Sequence, residues 1–252
     1  MSTALVTGAS GGIGLEIARV LAPDHDLVLV ARSAAKLDAL ATELGGARVI
    51  AADLADPSAV GKIVADVPDV DVLVNNAGVG DFGAFAGVDL DKTLGMIQLN
   101  VASLTALTRH YLPGMLERGH GRVMNIASTA SFQPGPLMAV YYATKAYVLS
   151  FSEAVAEEVR GTGVTVTALC PGPTASGFQA AADMELSPLV ANRTLPTAAE
   201  VARYGVKAMQ RGDVVAVPGG MNKIMAASVR FTPRPVLRRV VRRLQETKPS
   251  KE

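Results

Sequence analysis

A chain of 252 residues with a formal charge of +1 has room for one sizeable domain and carries no excess charge for gripping a nucleic acid. Hydrophobic residues make up 49% of it, aromatics only 4%, and the mean hydropathy is +0.29, a composition that suits an aliphatic parallel sheet buried on both faces. The single cysteine, Cys170, excludes an internal disulfide, and three scattered histidines (His25, His110, His120) give no metal-ligand spacing.

No run reaches the ~18 apolar residues of a membrane span. A strand-like run begins at Thr3, which leaves no room for a signal peptide. Asn192-Arg193-Thr194 fits a glycosylation sequon and is read as chance. These features describe a reduced, cytoplasmic domain. The charge is uneven, however. From Met221 onward there are nine Lys and Arg against two Asp and Glu, leaving 15 against 21 in the first 220 residues.

Apolar strand-like runs are expected at 3–7, 27–31, 48–51, 71–74, 122–126, 164–169 and 213–217, with helices between. This alternation predicts an α/β fold, a doubly wound, mostly parallel, seven-stranded sheet of Rossmann type with helices on both faces. Ligands in such folds bind beyond the carboxyl ends of the strands.

Thr7 to Gly14, TGASGGIG, follows the first strand and opens the first helix. Gly8, Gly12 and Gly14 allow a tight turn, close approach of backbone to a pyrophosphate, and close helix–strand packing. At the end of the second strand stand Val30, Ala31, Arg32 and Ser33, with Lys36 behind. An acid there would grip a ribose 2′-hydroxyl, whereas Arg32 suits a 2′-phosphate, so NADP(H) is expected over NAD(H). Asp53 ends the third strand, where it can accept from an adenine amino group or cap a helix starting near Pro57. Asn75, Asn76, Ala77 and Gly78 end the fourth. Ala77 and Gly78 are small enough for a sugar or ring to lie against the backbone, and an asparagine there can tie neighbouring strand ends together.

Residues 89–117 read as one long helix with Asn100 inside it, which costs helix stability. Ser128 follows the strand ending at Ile126. In the helix read over 136–160, Tyr141 and Lys145 are four apart and share a face. A cation close to a phenol lowers its pKa from the ordinary ~10. Tyr141 is thereby expected to exchange protons near neutral pH, with Ser128 holding a carbonyl oxygen as charge develops on it. This trio serves proton transfer to a carbonyl, so a hydride must come from elsewhere. A pair of such helices from two copies can form a dimer.

Cys170, Pro171, Gly172, Pro173 and Thr174 make a rigid turn able to present backbone groups to a nicotinamide carboxamide. Cys170 reads as a small buried hydrophobe. Residues 177–197, with Met184, Leu186, Leu189 and Leu195, read as a lid favouring an apolar substrate. In the tail, Val236, Leu237, Val240, Val241 and Leu244 form one helical stripe, and Arg238, Arg239, Arg242 and Arg243 the other. Such a helix can lie on an anionic membrane or dock on protein. The expected organisation is a catalytic domain over 1–220 and a basic amphipathic extension over 221–252.

Taken in order, the glycine turn of Thr7 to Gly14, Asp53, the NNAG of 75–78, Asn100, Ser128, the Tyr141/Lys145 pair and Pro171-Gly172 resemble the short-chain dehydrogenase/reductase family, in its single-domain branch. The resemblance implies that Tyr141 is the general acid/base, that Lys145 lowers its pKa and holds the nicotinamide ribose, and that Ser128 orients the carbonyl oxygen. It implies that Asn100 holds a water behind Lys145. Gly8, Ser10, Ile13, Arg32, Asp53, Leu54 and Asn76 would line the cofactor site, with Thr174 and Ser176 near the carboxamide and phosphates. The expected activity is NADP(H)-dependent interconversion of a carbonyl and a secondary alcohol by a homodimer or homotetramer. A catalytically silent dinucleotide-binding sensor or scaffold, and a peripheral membrane protein acting through its tail, stay open as alternatives.

Overall fold

The computed structural model describes residues 2–177 and 195–246. Seven parallel strands form one sheet in the order β3-β2-β1-β4-β5-β6-β7. They are β1 (Ser2–Thr7), β2 (His25–Ala31), β3 (Arg48–Ala51), β4 (Val72–Asn75), β5 (Gly121–Ile126), β6 (Val164–Leu169) and β7 (Val215–Ala216). Each sits within a few residues of its expected run. The order reverses between β1 and β4, so a crevice opens beyond their carboxyl ends.

The strands are apolar on both faces because both faces are covered. Ala4 and Val6 of β1 pack with Val74 and Met124 under α1 (Gly12–Leu21), through Ile17 and Leu21. Between them, Leu5 turns to the opposite face with Leu73 and Val123, under α3 (Ala59–Asp66), through Ile63. Helix α2 (Ala34–Glu43) buries Leu37 and Leu40 on the α1 side. Burial of each such leucine contributes roughly 2 kcal/mol.

Two expectations change. Residues 89–117 do not form one α-helix. Helix α4 (Leu90–Ile97) passes through a π-helical turn (Gln98–Ser103) into α5 (Leu104–Arg118). Asn100 lies in that turn, where its amide is tied to Val79: Oδ1 accepts from the Val79 N–H at 3.0 Å and Nδ2 donates to its carbonyl at 2.9 Å. An inserted turn of this kind aims a side chain that a regular helix would misplace. Likewise α3 begins at Ala59 rather than near Pro57, and Asp53 does not cap it. The Asp53 carboxylate instead accepts from the Ala55 N–H in its own turn.

Helix α6 (Ala139–Glu158) carries the Tyr141/Lys145 pair, and α7 (Ala198–Arg211) starts on a reciprocal cap between Thr197 and Glu200. The chain then forms α8 (Gly220–Ser228), a short turn (Val229–Phe231) and α9 (Arg234–Gln245). The extension does not stand apart: Leu237 and Val241 of α9 are buried with Ala130, Met138 and Tyr142. No helix among the described residues is long and apolar enough to cross a membrane. Residues 178–194 of the expected lid lie outside the described residues.

Candidate active site

The crevice is stitched shut at its base. The Thr7 hydroxyl donates to the Val74 carbonyl at 3.1 Å and accepts from the Asn76 and Ala77 N–H groups at 3.0 Å each. The Asn76 amide donates back to the Thr7 carbonyl at 2.9 Å. The Thr7 hydroxyl and the Asn76 side chain thus extend the pairing of β1 with β4 past the strand ends at the switch point. Gly8 turns out of β1 with φ +67, a left-handed conformation that favours glycine. Gly14 lies directly beneath: a Cβ there would sit 2.3 Å from the Asn76 amide nitrogen.

Above this base opens a cavity of about 1220 Å³. One half is lined by Gly8, Ser10, Gly12 and Ile13 from the first turn, Arg32 and Lys36 from the end of β2, Asp53 and Leu54 from the end of β3, and Asn76, Ala77 and Gly78 from the end of β4. Of the residues singled out in this half, Gly14 alone stays underneath. Helix α1 has no side-chain cap at Gly11, so its first-turn N–H groups are available to an anion. Ser176 closes over that turn, its Cβ 3.4 Å from where a side chain on Gly12 would begin. Arg32 and Lys36 are exposed and have no acidic partner among the described residues. A helix N-terminus, an unpaired arginine and small residues at 77 and 78 fit a phosphorylated dinucleotide.

Ser128, Tyr141 and Lys145 meet on the cavity floor. Ser128 starts a short 3₁₀ turn, its hydroxyl accepting from the Ala130 N–H at 3.1 Å and hydrogen-bonded to the Tyr141 phenol. One helical turn on, Lys145 is 5% exposed and its Nζ donates to the Ile126 carbonyl at 2.7 Å. That nitrogen lies 6.0 Å from the Tyr141 ring centre. Gly78 leaves room for it: a Cβ there would come within 3.3 Å of Lys145 Nζ and 3.2 Å of Asn100 Oδ1. Asn100 itself is buried off the cavity and also donates to Thr144 Oγ1 at 3.1 Å.

The electrostatics correct one expectation. Burial pushes the Tyr141 phenol up to about 12, against the pull of its hydrogen bond to Ser128. Burial also pushes the Lys145 ammonium down to about 8. Desolvation prevails at the phenol, and the ammonium donates to the Ile126 carbonyl. At neutral pH the site therefore holds a neutral phenol beside a positive lysine.

Tyr141 and Tyr142 are adjacent but face different partners, their rings 6.1 Å apart and edge to face. The Tyr142 hydroxyl accepts a 2.6 Å hydrogen bond from Gln245 Nε2 of α9. Cys170 is fully buried and free, as expected, and burial pushes its thiol up to about 12.

The other half of the cavity is bounded by Pro171, Gly172 and Thr174 on one side and by Phe132, Met138 and Tyr142 on another. Its remaining wall was not anticipated: Met221 and Met225 of α8 and Leu237, Val240, Val241 and Leu244 of α9 all face into it. The amphipathic stripe was the available signal, and it gave the helix without its destination. Charged side chains line this cavity at only four described positions, Arg32, Lys36, Asp53 and Lys145. Among the described residues, the half walled by α8 and α9 has none.

A family model described as short chain dehydrogenase matches residues 2–186. A relative from Nostoc sp., ketoacyl reductase HetN, is 38% identical over 179 residues, covering 68% of this chain; the matched part spans 62% of that relative's length. A solved short-chain dehydrogenase from Sphingobium yanoikuyae in complex with NADPH superposes with a TM-score of 0.82 at 30% identity, over 92% of this chain and 95% of that one. A bulky-bulky ketone specific alcohol dehydrogenase from Comamonas testosteroni gives a TM-score of 0.78 at 28% identity, over 92% of each chain.

Proposed function

The chain belongs to the short-chain dehydrogenase family, and from that premise we propose that it is an NADP(H)-dependent oxidoreductase interconverting a bulky apolar ketone and its secondary alcohol. One observation carries the reading. The Ser128–Tyr141–Lys145 cluster forms the floor between a half of the cavity lined by the glycine turn, Arg32 and Asp53 and a half where no described residue is charged.

NADPH, when bound, would supply the hydride. The first-turn N–H groups of α1 would hold its pyrophosphate, Arg32 with Lys36 its 2′-phosphate, and Lys145 its nicotinamide ribose. Ser128 hydrogen-bonds the substrate oxygen while Tyr141 gives that oxygen its proton as negative charge grows there. A phenol held near 12 stays protonated at neutral pH, yet it is still a far stronger acid than the alcohol it helps to form. The fixed positive charge of Lys145 stabilises the phenolate left behind. Asn100 acts as a positioning residue, bracing Val79 next to Gly78.

Among the described residues the substrate half offers no cation to pair a carboxylate, which supports a neutral ketone over a keto acid. The likeness to an enzyme described as specific for bulky-bulky ketones points the same way. Exposed Leu94 and Ile97 of α4 and Tyr147 of α6 support pairing of two copies through those helices.

The test is a panel of bulky ketones and short keto acids with NADPH and NADH, followed through the absorbance of the reduced nicotinamide. Bulky neutral ketones should turn over and keto acids should not. Arg32→Ala should weaken NADPH roughly 10- to 100-fold, the range for a hydrogen bond to a charged group, and leave NADH nearly unchanged. Preference for keto acids, or equal losses for both cofactors, would overturn the assignment.

A further inference from the structure

Fourteen large apolar side chains are exposed among the described residues, and seven of them fall between Met221 and Leu244. Phe231, in the turn joining α8 to α9, is 88% exposed; Met221 and Ile224, three apart on α8, are 68% and 65%. On α9 the buried stripe of Leu237, Val241 and Gln245 docks on the domain. At about 100° per residue, Val236, Val240 and Leu244 form the next stripe outward, and Arg239 and Arg243 flank it on the far side. An apolar band with arginines along its outer edge is the pattern of a helix lying in a lipid interface.

The charge agrees. Arg230, Arg234, Arg238, Arg239 and Arg243 are exposed and have no acidic partner among the described residues, while Arg242 pairs with Glu246. The first 220 residues carry 21 acids against 15 bases. A basic face on an acidic body turns that face toward an anionic surface and the body away from it.

The band is also continuous with the cavity. Met221, Met225, Val240 and Leu244 are exposed at the surface and line the half of the cavity where no described residue is charged. A protein partner would have no use for such a path, whereas a solute dissolved in hydrocarbon would.

We propose that α8, the turn through Phe231 and the outer stripe of α9 dock on an anionic lipid bilayer and pass a neutral, lipid-dissolved ketone or alcohol directly into the cavity. The delivery step rests on the carbonyl-reductase reading; the docking does not.

The experiment is sedimentation of the full chain with phosphatidylcholine vesicles, with and without phosphatidylglycerol, at low and high salt, with NADPH binding measured on every variant. Wild type should pellet with the anionic vesicles, less so at high salt, and stay in solution with the neutral ones. Ile224→Glu with Phe231→Glu should reduce binding at least tenfold. Arg239→Gln with Arg243→Gln should reduce it roughly 25-fold, about fivefold for each arginine. Both double variants should bind NADPH as wild type does, which separates loss of docking from loss of fold. No pelleting of wild type with anionic vesicles at low salt would overturn the proposal, as would equal pelleting of the Ile224→Glu/Phe231→Glu variant. Self-association abolished by that variant, without vesicle binding, would make the face a contact between copies and overturn it too. Intact vesicle binding with no ketone reduction would overturn the reductase reading and leave the docking standing.

Discussion

The floor of the cavity holds polar groups out of water, whereas the hairpin at its rim holds apolar groups in it. Lys145 is 5% exposed and Phe231 is 88% exposed. Both arrangements cost free energy, and neither is what stability alone would select. The floor tolerates its cost because each polar group has a partner: the Ile126 carbonyl for Lys145, and Ser128 for Tyr141. The rim has no such partner among the described residues, and the proposed docking on a bilayer would recover its cost. Departures from the local rule mark working parts in both places, and the presence or absence of an internal partner tells the two kinds apart.

Breaking the floor should give the largest effects. Tyr141→Phe removes the proposed proton donor and should lower kcat about 10³-fold, within the usual range for a general acid, with NADPH affinity within about twofold of wild type. Unchanged turnover would move the acid elsewhere.

Lys145→Met sharpens the contrast because activity and stability should move in opposite directions. A lysine held down to about 8 instead of 10.5 favours the neutral form in the folded state. Its ammonium therefore destabilises the fold below pH 8 by on the order of 3 kcal/mol, and this penalty fades as pH rises from about 8 to 10.5. Thermal unfolding should show the methionine variant as stable as wild type or more so at pH 7, with the gap narrowing above pH 8, while turnover falls by at least 10²-fold. Loss of both stability and turnover at pH 7 would make Lys145 a structural residue.

Smaller effects are expected where floor meets rim. Leu237→Ala removes the side chain that seats α9 and should cost about 2 kcal/mol in chemical denaturation, the low end for a buried leucine. The KM for a bulky ketone should rise while NADPH affinity holds. Equal weakening of both would mean that α9 supports the whole cavity and not its apolar half. Gln245→Ala should cost least, about 1 kcal/mol. It breaks the 2.6 Å bond to Tyr142, but Gln245 Oε1 is already buried without a partner, which offsets part of the loss.

The floor was legible in the sequence because its parts obey short-range geometry. Tyr141 and Lys145 share a face by helical spacing, and Ser128 follows a strand whose register the apolar run defines. The seven strands were legible for the same reason. What stayed hidden depends on contacts far apart in sequence. The π-turn at Asn100 exists because that side chain bonds Val79, 21 residues earlier. The raised phenol of Tyr141 follows from the several elements that pack around this half-buried side chain, which no local pattern encodes. The amphipathic stripe of α9 announced a helix with two faces, but only the fold revealed that Leu237 and Val241 seat it beside Tyr142.

The central claim is that the Tyr141 floor completes a hydride transfer to a carbonyl carbon. NADPH deuterated at nicotinamide C4, on each face in turn, should be incubated with a bulky prochiral ketone and the alcohol analysed by mass spectrometry and NMR. Deuterium at the carbinol carbon from one face only, lost together with turnover in Tyr141→Phe, is the predicted result. Oxidation of NADPH that leaves the carbinol carbon unlabelled from either face would contradict the claim.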